Sequence, residues 1–221
     1  MAGQDRVAFA DRAEAGRILA DRLAGVPLRD PVVLALPRGG VPVGAAIAQR
    51  LGAPLDLLLV RKLGVPDQPE LAMGAVGEGE GALVLNREIV RLAGVGEREI
   101  ADAVAAERAE IARRRQRYLA GRRPVPLAGR SVIVVDDGVA TGATMRAGLA
   151  MLRGEAPHEI IVAVPVAPAE TVRLLEGEAD RVIVALVSPL PFGIGGHYGD
   201  FHQLEDGEVT ATLDRFAPPA A

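Results

Sequence analysis

Ser131–Met145 reads SVIVVDDGVATGATM, and the order of its residue types decides how the rest of the chain is read. Ser131–Val135 is a short run rich in Val and Ile, the pattern of a strand buried on both faces. Two carboxylates follow, Asp136 and Asp137, and then a loop of small residues from Gly138 to Ala143; Thr144, Leu149 and Leu152 mark an entering helix. Where a buried strand hands over to a helix, backbone N–H groups have no intrahelical partner and the helix dipole favours an anion. Gly138, Ala140, Gly142 and Ala143 keep the loop narrow, so that a phosphate can approach its amides, and Thr141 and Thr144 add hydroxyl donors. Two carboxylates beside that nest would repel a phosphate, so they serve another part of the ligand. Ribose hydroxyls and Mg²⁺ are the groups a carboxylate attracts. No Gly-Lys-Ser/Thr triplet occurs here, which excludes a Walker A loop.

The thirteen positions from Val132 to Thr144, VIVVDDGVATGAT, resemble the phosphoribosyl pyrophosphate (PRPP) binding motif of the type I phosphoribosyltransferases. An ordinary Asp-Gly turn after a strand requires neither the second Asp nor Thr141 and Thr144. The resemblance implies that Asp136 and Asp137 hold the ribose hydroxyls and, through water, the Mg²⁺. It gives the 5′-phosphate to Gly138, Val139, Ala140, Thr141, Gly142, Ala143 and Thr144.

Composition sets the outer limits. The 221 residues suit one α/β domain with some elaboration; 49% are hydrophobic but only 3% aromatic, so the core is expected to be Ala, Val, Leu and Ile. A net charge of −4 argues against generic nucleic-acid or acidic-membrane binding. The chain has no cysteine, which removes a disulfide scaffold and a thiolate mechanism. No apolar stretch reads as a signal peptide or a bilayer span, and a cytoplasmic protein is the expectation.

Upstream of the motif, Asp11 and Glu14 resemble a capping box that opens a helix to about Leu23, in which no chemistry is apparent. Val32–Leu36 reads as the first core strand. It leads through Pro37, Arg38, Gly39 and Gly40 into a helix ending near Leu51. Arg38 is a forked cation, and the glycine pair permits unusual backbone angles near a second anion. In the family this loop binds pyrophosphate, which the resemblance assigns to Arg38, Gly39 and Gly40. Leu55–Val60 reads as the next strand, ending in Arg61 and Lys62 at the crevice where open α/β sheets bind ligands. Their charges suit pyrophosphate, and the catalytic set expected from the resemblance is Asp136, Asp137, Arg38 and Lys62.

Residues 64–81 are rich in Gly, Pro and acids, with a short strand expected at Ala72–Val76. In the family this segment is a mobile lid that keeps water from the electrophilic sugar carbon. Glu70 and Glu78 are its acids, with no assigned role. Asn86 is expected to cap a short helix, and Glu97 to open a long one toward Tyr118. The stretch Arg113–Arg123 reads as a solvated helix face or a subunit contact, and a homodimer is one assembly it allows. Ile160–Val164 and Val182–Val187 read as further strands, with a helix at about Glu170–Leu175 between them. Strands alternating with helices predict a mainly parallel, doubly wound α/β sheet.

The segment at about 188–210 holds Phe192, Tyr198 and Phe201, three of the six Tyr and Phe residues, together with His197 and His202. Type I enzymes carry a variable hood here that recognises the acceptor base, and Phe192, Tyr198 and Phe201 are the candidate base-stacking residues. A small satellite core made of the same rings is the alternative, with the histidines structural. Ala140 stands where hypoxanthine-guanine-type enzymes carry an acid, which speaks against a 6-oxopurine acceptor. Asp137 stands where uracil-type enzymes carry proline. The implied function is Mg²⁺-dependent transfer of 5-phosphoribosyl from PRPP to a nitrogenous base, within nucleotide metabolism. The alternative is a PRPP-binding sensor without turnover, although no helix-turn-helix extension is evident.

Overall fold

The computed structural model of the chain describes residues 7–66, 68–78, 82–120, 122–190 and 192–216. Helix α1 (Arg12–Leu23) starts where Asp11 accepts a hydrogen bond from the Glu14 N–H at 2.7 Å. Glu14 in turn accepts from the Ala10 N–H. Strand β1 (Val32–Ala35), helix α2 (Gly40–Leu51) and strand β2 (Leu55–Leu57) follow. Three strands, β3 (Val60–Val65), β4 (Gln68–Gly77) and β5 (Leu83–Leu85), precede helices α3 (Arg87–Leu92) and α4 (Glu97–Leu119). The second half alternates: β6 (Ser131–Val135), α5 (Ala143–Leu152), β7 (Glu159–Ala167), α6 (Ala169–Glu176), β8 (Arg181–Val187), and finally α7 (Asp206–Asp214).

The central sheet has five strands in the order β2-β1-β6-β7-β8, all parallel. Alternate residues of each strand enter opposite layers, as the period of two demands. Val33, Ala35, Ile133 and Ile161 pack with Leu19, Leu23 and Ile47 of α1 and α2. Val32, Leu34, Val134 and Val162 pack with Leu149 and Leu152 of α5 and Leu175 of α6. Both faces are therefore covered and β6 is buried at every position, which is the doubly wound α/β arrangement expected from the sequence. The connections place the C-terminal ends of β1 and β6 side by side, with Val135 accepting from the Leu36 N–H at 2.9 Å. The crevice beyond these two ends holds the motif loop.

Two sequence expectations are corrected here. The strand expected at Leu55–Val60 stops at Leu57, because the pairing with β1 ends there and from Val60 the chain pairs with Gly77 instead. Val60 begins a separate antiparallel sheet of order β3-β4-β5, so Arg61 and Lys62 lie within a strand and not at a strand exit. The short strand expected at Ala72–Val76 is the longer β4, whose Met73 and Val76 are fully buried. Residue 67, residues 79–81 and the side chain of Glu70 lie outside the described part of the chain.

Asn86 caps α3 by accepting from the N–H groups of Glu88 and Ile89, as expected. On α4 the apolar stripe is Val104, Ile111 and Tyr118, but Arg115 is buried with it. Arg115 meets Asp56 of β2 at 3.1 Å and Glu78 at 2.9 Å, and Asp56 also accepts from the Val125 N–H. This ion triad ties the long helix to both sheets. Burial raises the Glu78 carboxyl above its usual range, against the opposing pull of Arg115.

Candidate active site

Beyond the two aspartates, the motif loop is held by neighbouring segments. Val139 N–H donates to the Val166 carbonyl at 2.9 Å, and the Thr171 hydroxyl donates to the Ala140 carbonyl at 2.5 Å. Gly142 caps α5 with a φ of 77°, a left-handed conformation that suits glycine. No side chain caps the first turn of α5, and Thr141 and Thr144 are exposed beside it. The N–H groups there, the two hydroxyls and the helix dipole form an anion-accepting rim.

The two aspartates have different surroundings. Asp136 accepts from the Asp137 N–H at 2.8 Å and lines a cavity of about 180 Å³. Its walls include Pro37, Arg61, Arg114 and Thr144. Burial, and secondarily the charge of Asp137, raise the Asp136 carboxyl well above the usual carboxylate range. Asp137 instead turns toward α1, where the Arg12 Nε donates to its Oδ2 at 2.8 Å. Arg12 also donates to the His202 carbonyl at 3.0 Å and lies 3.9 Å over the Phe201 ring. The Tyr198 hydroxyl donates to the Asp137 carbonyl at 2.6 Å, and burial pushes that phenol far above its usual range.

Three segments distant in sequence thus clamp one motif residue. The chain at Ala8 and Phe9 donates to the His197 carbonyl, and Gly199 returns a hydrogen bond to Phe9. Tyr198 stacks on Phe201 with ring centroids 5.0 Å apart and meets Phe9 in a tilted contact at 5.3 Å. The faces of Tyr198 are therefore occupied by protein, and Phe192 stands apart with 69% of its surface exposed. The satellite-core reading describes Tyr198 and Phe201. His197 bonds to Ser188, and His202 bridges Asp200 and Glu208, so both histidines hold this segment together.

Arg38, Gly39 and Gly40 sit against the motif, but the glycines act by close approach. Neither has a positive φ. A Cβ on Gly39 would fall 2.0 Å from Asp137 Oδ2, and one on Gly40 would fall 2.6 Å from the Val135 carbonyl. The Arg38 side chain points into a second, polar cavity of about 430 Å³, shared with Arg113, Arg114 and Arg117. Arg113 and Arg117 are exposed, as a solvated face requires, and with Arg114 they border this cavity beside Arg38. Arg61 reaches the Asp136 cavity and pairs with Glu107 at 2.6 Å, whereas Lys62 is exposed and not on the walls of that cavity.

Sequence reasoning missed Arg12 and the α4 arginines. A cation at the first residue of a helix opposes the dipole, so Arg12 carried a legible signal. Among the described residues, no group of three or more His, Cys, Asp or Glu could hold a metal. Asp136 is the motif carboxylate that faces the cavity. That donor set fits a Mg²⁺ held mainly by substrate phosphates and water, with one protein carboxylate beside it.

The fold and the loop define a member of the phosphoribosyl transferase domain family, and the chain belongs to it over residues 10–188. It is 45% identical over 207 residues to Rv0571c of Mycobacterium tuberculosis, a protein named only provisionally as a phosphoribosyl transferase. The match covers 94% of this chain and 46% of that protein, so the chain spans about half the length of the curated relatives it matches. Among solved structures it resembles TT1426 from Thermus thermophilus, with a TM-score of 0.85 and 43% identity. That likeness covers 95% of this chain and 99% of TT1426. No helix of the described residues is long and apolar enough to cross a membrane.

Proposed function

We propose that the protein transfers the 5-phosphoribosyl group of PRPP to a nitrogenous base and releases pyrophosphate, with Mg²⁺. The observation that carries this reading is the juxtaposition of Asp136 with an uncapped helix N-terminus on one loop, facing a cavity lined by Arg61 and Arg114. The N–H groups and hydroxyls from Gly138 to Thr144 take the 5′-phosphate, and Asp136 accepts from the ribose hydroxyls. Asp137 keeps the loop in place through Arg12 and Tyr198. Arg38 and Arg61 take the pyrophosphate. Bound Mg²⁺ supplies charge neutralisation on that leaving group.

In the reaction the bond between the anomeric carbon and the pyrophosphate oxygen breaks, its electron pair leaving with pyrophosphate. A lone pair on the base nitrogen forms the new bond, and the proton on that nitrogen leaves to solvent or to the departing pyrophosphate. Positive charge develops on the ribose, and the chain supplies position and fixed charge without a covalent nucleophile. For the acceptor, Phe192 is the candidate aromatic with an exposed ring.

The test is pyrophosphate release from PRPP and Mg²⁺ with a panel of purine and pyrimidine bases. Base-dependent release, lost in Asp136→Asn, supports the transferase. PRPP binding without release on any base would make the protein a PRPP sensor, and absence of PRPP binding would end both readings.

A further inference from the structure

A further cavity, of about 320 Å³, lies at the β2 edge of the central sheet. Leu34, Leu57 and Leu58 line it from the sheet side, Met151 and Leu152 from the end of α5, and Leu127 from the loop before β6. Among the described residues, none of the motif loop from Asp136 to Thr144 lines it. A concave, mainly apolar space of this size with a few polar groups is the usual form of a small-molecule site. The polar groups here are an ion cluster. The side chains of Arg115 and Asp56 are 10% and 6% exposed and meet at 3.1 Å, and Arg115 meets Glu78 at 2.9 Å. A buried triad of this kind is often replaceable by apolar residues without loss of stability, so stability is a weak reason for keeping it. Its charges also do not balance. Among the described residues, three carboxylates, Asp56, Glu78 and Glu155, line the cavity against one guanidinium, an excess of two negative charges. Asp56 is well supplied, accepting from Arg115 and from the Leu57 and Val125 N–H groups. Glu78 has only a share of Arg115, and burial raises its carboxyl further than that guanidinium lowers it.

We infer that this cavity binds a small organic ammonium ion, its apolar body against Leu58, Leu127 and Met151 and its cationic head on Glu78. The head supplies the positive charge that the cluster lacks, and the body covers the apolar walls. The site goes beyond the phosphoribosyl transfer proposed above, in which Asp56, Glu78 and Arg115 have no part. Leu58 and Leu59 line both this cavity and the Asp136 cavity, so an occupant here lies behind a wall of the proposed ribose site.

The test titrates phenethylamine into the wild-type chain at about pH 7, where an alkylamine is protonated, and follows the protein's amide NMR shifts. Phenethyl alcohol and hydrocinnamate are the uncharged and anionic counterparts of the same shape. Phenethylamine is expected to shift the amides around Leu127 and Met151 saturably. It should bind about fivefold tighter than the alcohol, the scale of a partly exposed ion pair, with hydrocinnamate weakest. Glu78→Gln is expected to abolish the preference for the amine and leave the affinity for the alcohol unchanged. Leu127→Trp fills the cavity and is expected to abolish saturation by both; Leu127→Phe serves if the tryptophan variant is poorly folded. No saturable shift with phenethylamine in wild type overturns the inference. Equal affinity for amine and alcohol, a preference that survives Glu78→Gln, or continued saturation in a folded Leu127 variant overturns it as well. PRPP is absent from every titration, so the outcome is independent of the proposed transfer reaction.

Discussion

Replacing Arg12 by Met tests whether the second motif aspartate is held from outside the motif. The substitution keeps an unbranched side chain of similar reach against Phe201 but removes the guanidinium. Asp137 loses its 2.8 Å partner at a position where the two side chains are only 9% and 13% exposed. It is left beside Asp136, whose own carboxyl is already pushed up by burial and by Asp137. The hydrogen bond to the His202 carbonyl and the cation over the Phe201 ring disappear with it. Removing one member of a buried pair costs about 3–5 kcal/mol, and the partial exposure of Asp137 places the expectation near the lower end, about 3 kcal/mol. For a chain of this size that lowers Tm by roughly 6–12 °C. The double variant Arg12→Met/Asp137→Asn removes the orphaned charge and should recover most of the loss, giving a coupling of about 2 kcal/mol in a double-mutant cycle. Urea denaturation of the four proteins is the assay. A loss below about 1 kcal/mol in Arg12→Met, or simple additivity in the double variant, would refute the clamp.

Gly39→Ala forces a methyl group into the Asp137 carboxylate, 2.0 Å from Oδ2, so the loop must shift; PRPP affinity should fall and stability drop by about 1–3 kcal/mol, as equilibrium binding and urea melts would reveal. Arg115→Met should destabilise by about 3 kcal/mol or more because Asp56 is left buried, whereas Glu78→Gln should lose much less, since burial already opposes the Glu78 charge; equal losses would contradict the picture of the triad. His202 has its pKa raised chiefly by its bond to Asp200 and then by Glu208, so the folded chain holds that proton to higher pH than the unfolded chain. Its contribution is fully present below about 6.5 and is lost as pH rises through the raised value, so Tm should fall more between pH 6 and 8 in wild type than in His202→Gln; parallel profiles would remove the linkage.

The motif was legible because its residue types form one contiguous pattern, a buried strand, two acids, and small residues before an uncapped helix, although the distant partners of Asp137 were not. The helix at Arg12–Leu23 and the cap at Asn86 were legible for the same reason. Contacts that depend on chain crossings were not. The apolar run Leu55–Val60 looks continuous, and only the tertiary pairing shows the chain leaving β1 after Leu57 for Gly77 at Val60. The aromatics at Tyr198 and Phe201 were visible as a cluster, but the third ring packed against Tyr198 is Phe9, almost the whole chain away. Arg113 and Arg117 lie on the solvated face that the sequence suggests, but that this face borders Arg38 and meets Asp206 depends on other elements and was not legible.

The division of labour between the aspartates follows from these crossings. Asp136 faces the cavity and Asp137 faces Arg12, so substitutions at the two positions should fail differently. Asp137→Asn acts through loop geometry and stability. Asp136→Asn acts on the ligand directly, removing a charged acceptor whose hydrogen bonds are worth about 1.5–3 kcal/mol. The most direct measurement is titration of PRPP with Mg²⁺ into wild type and into Asp136→Asn, with urea melts to show that both are folded. The account predicts saturable binding in wild type and an affinity lower by about tenfold to a hundredfold in the variant. Absence of PRPP binding in the wild-type protein, or equal affinity in a folded Asp136→Asn variant, would contradict it.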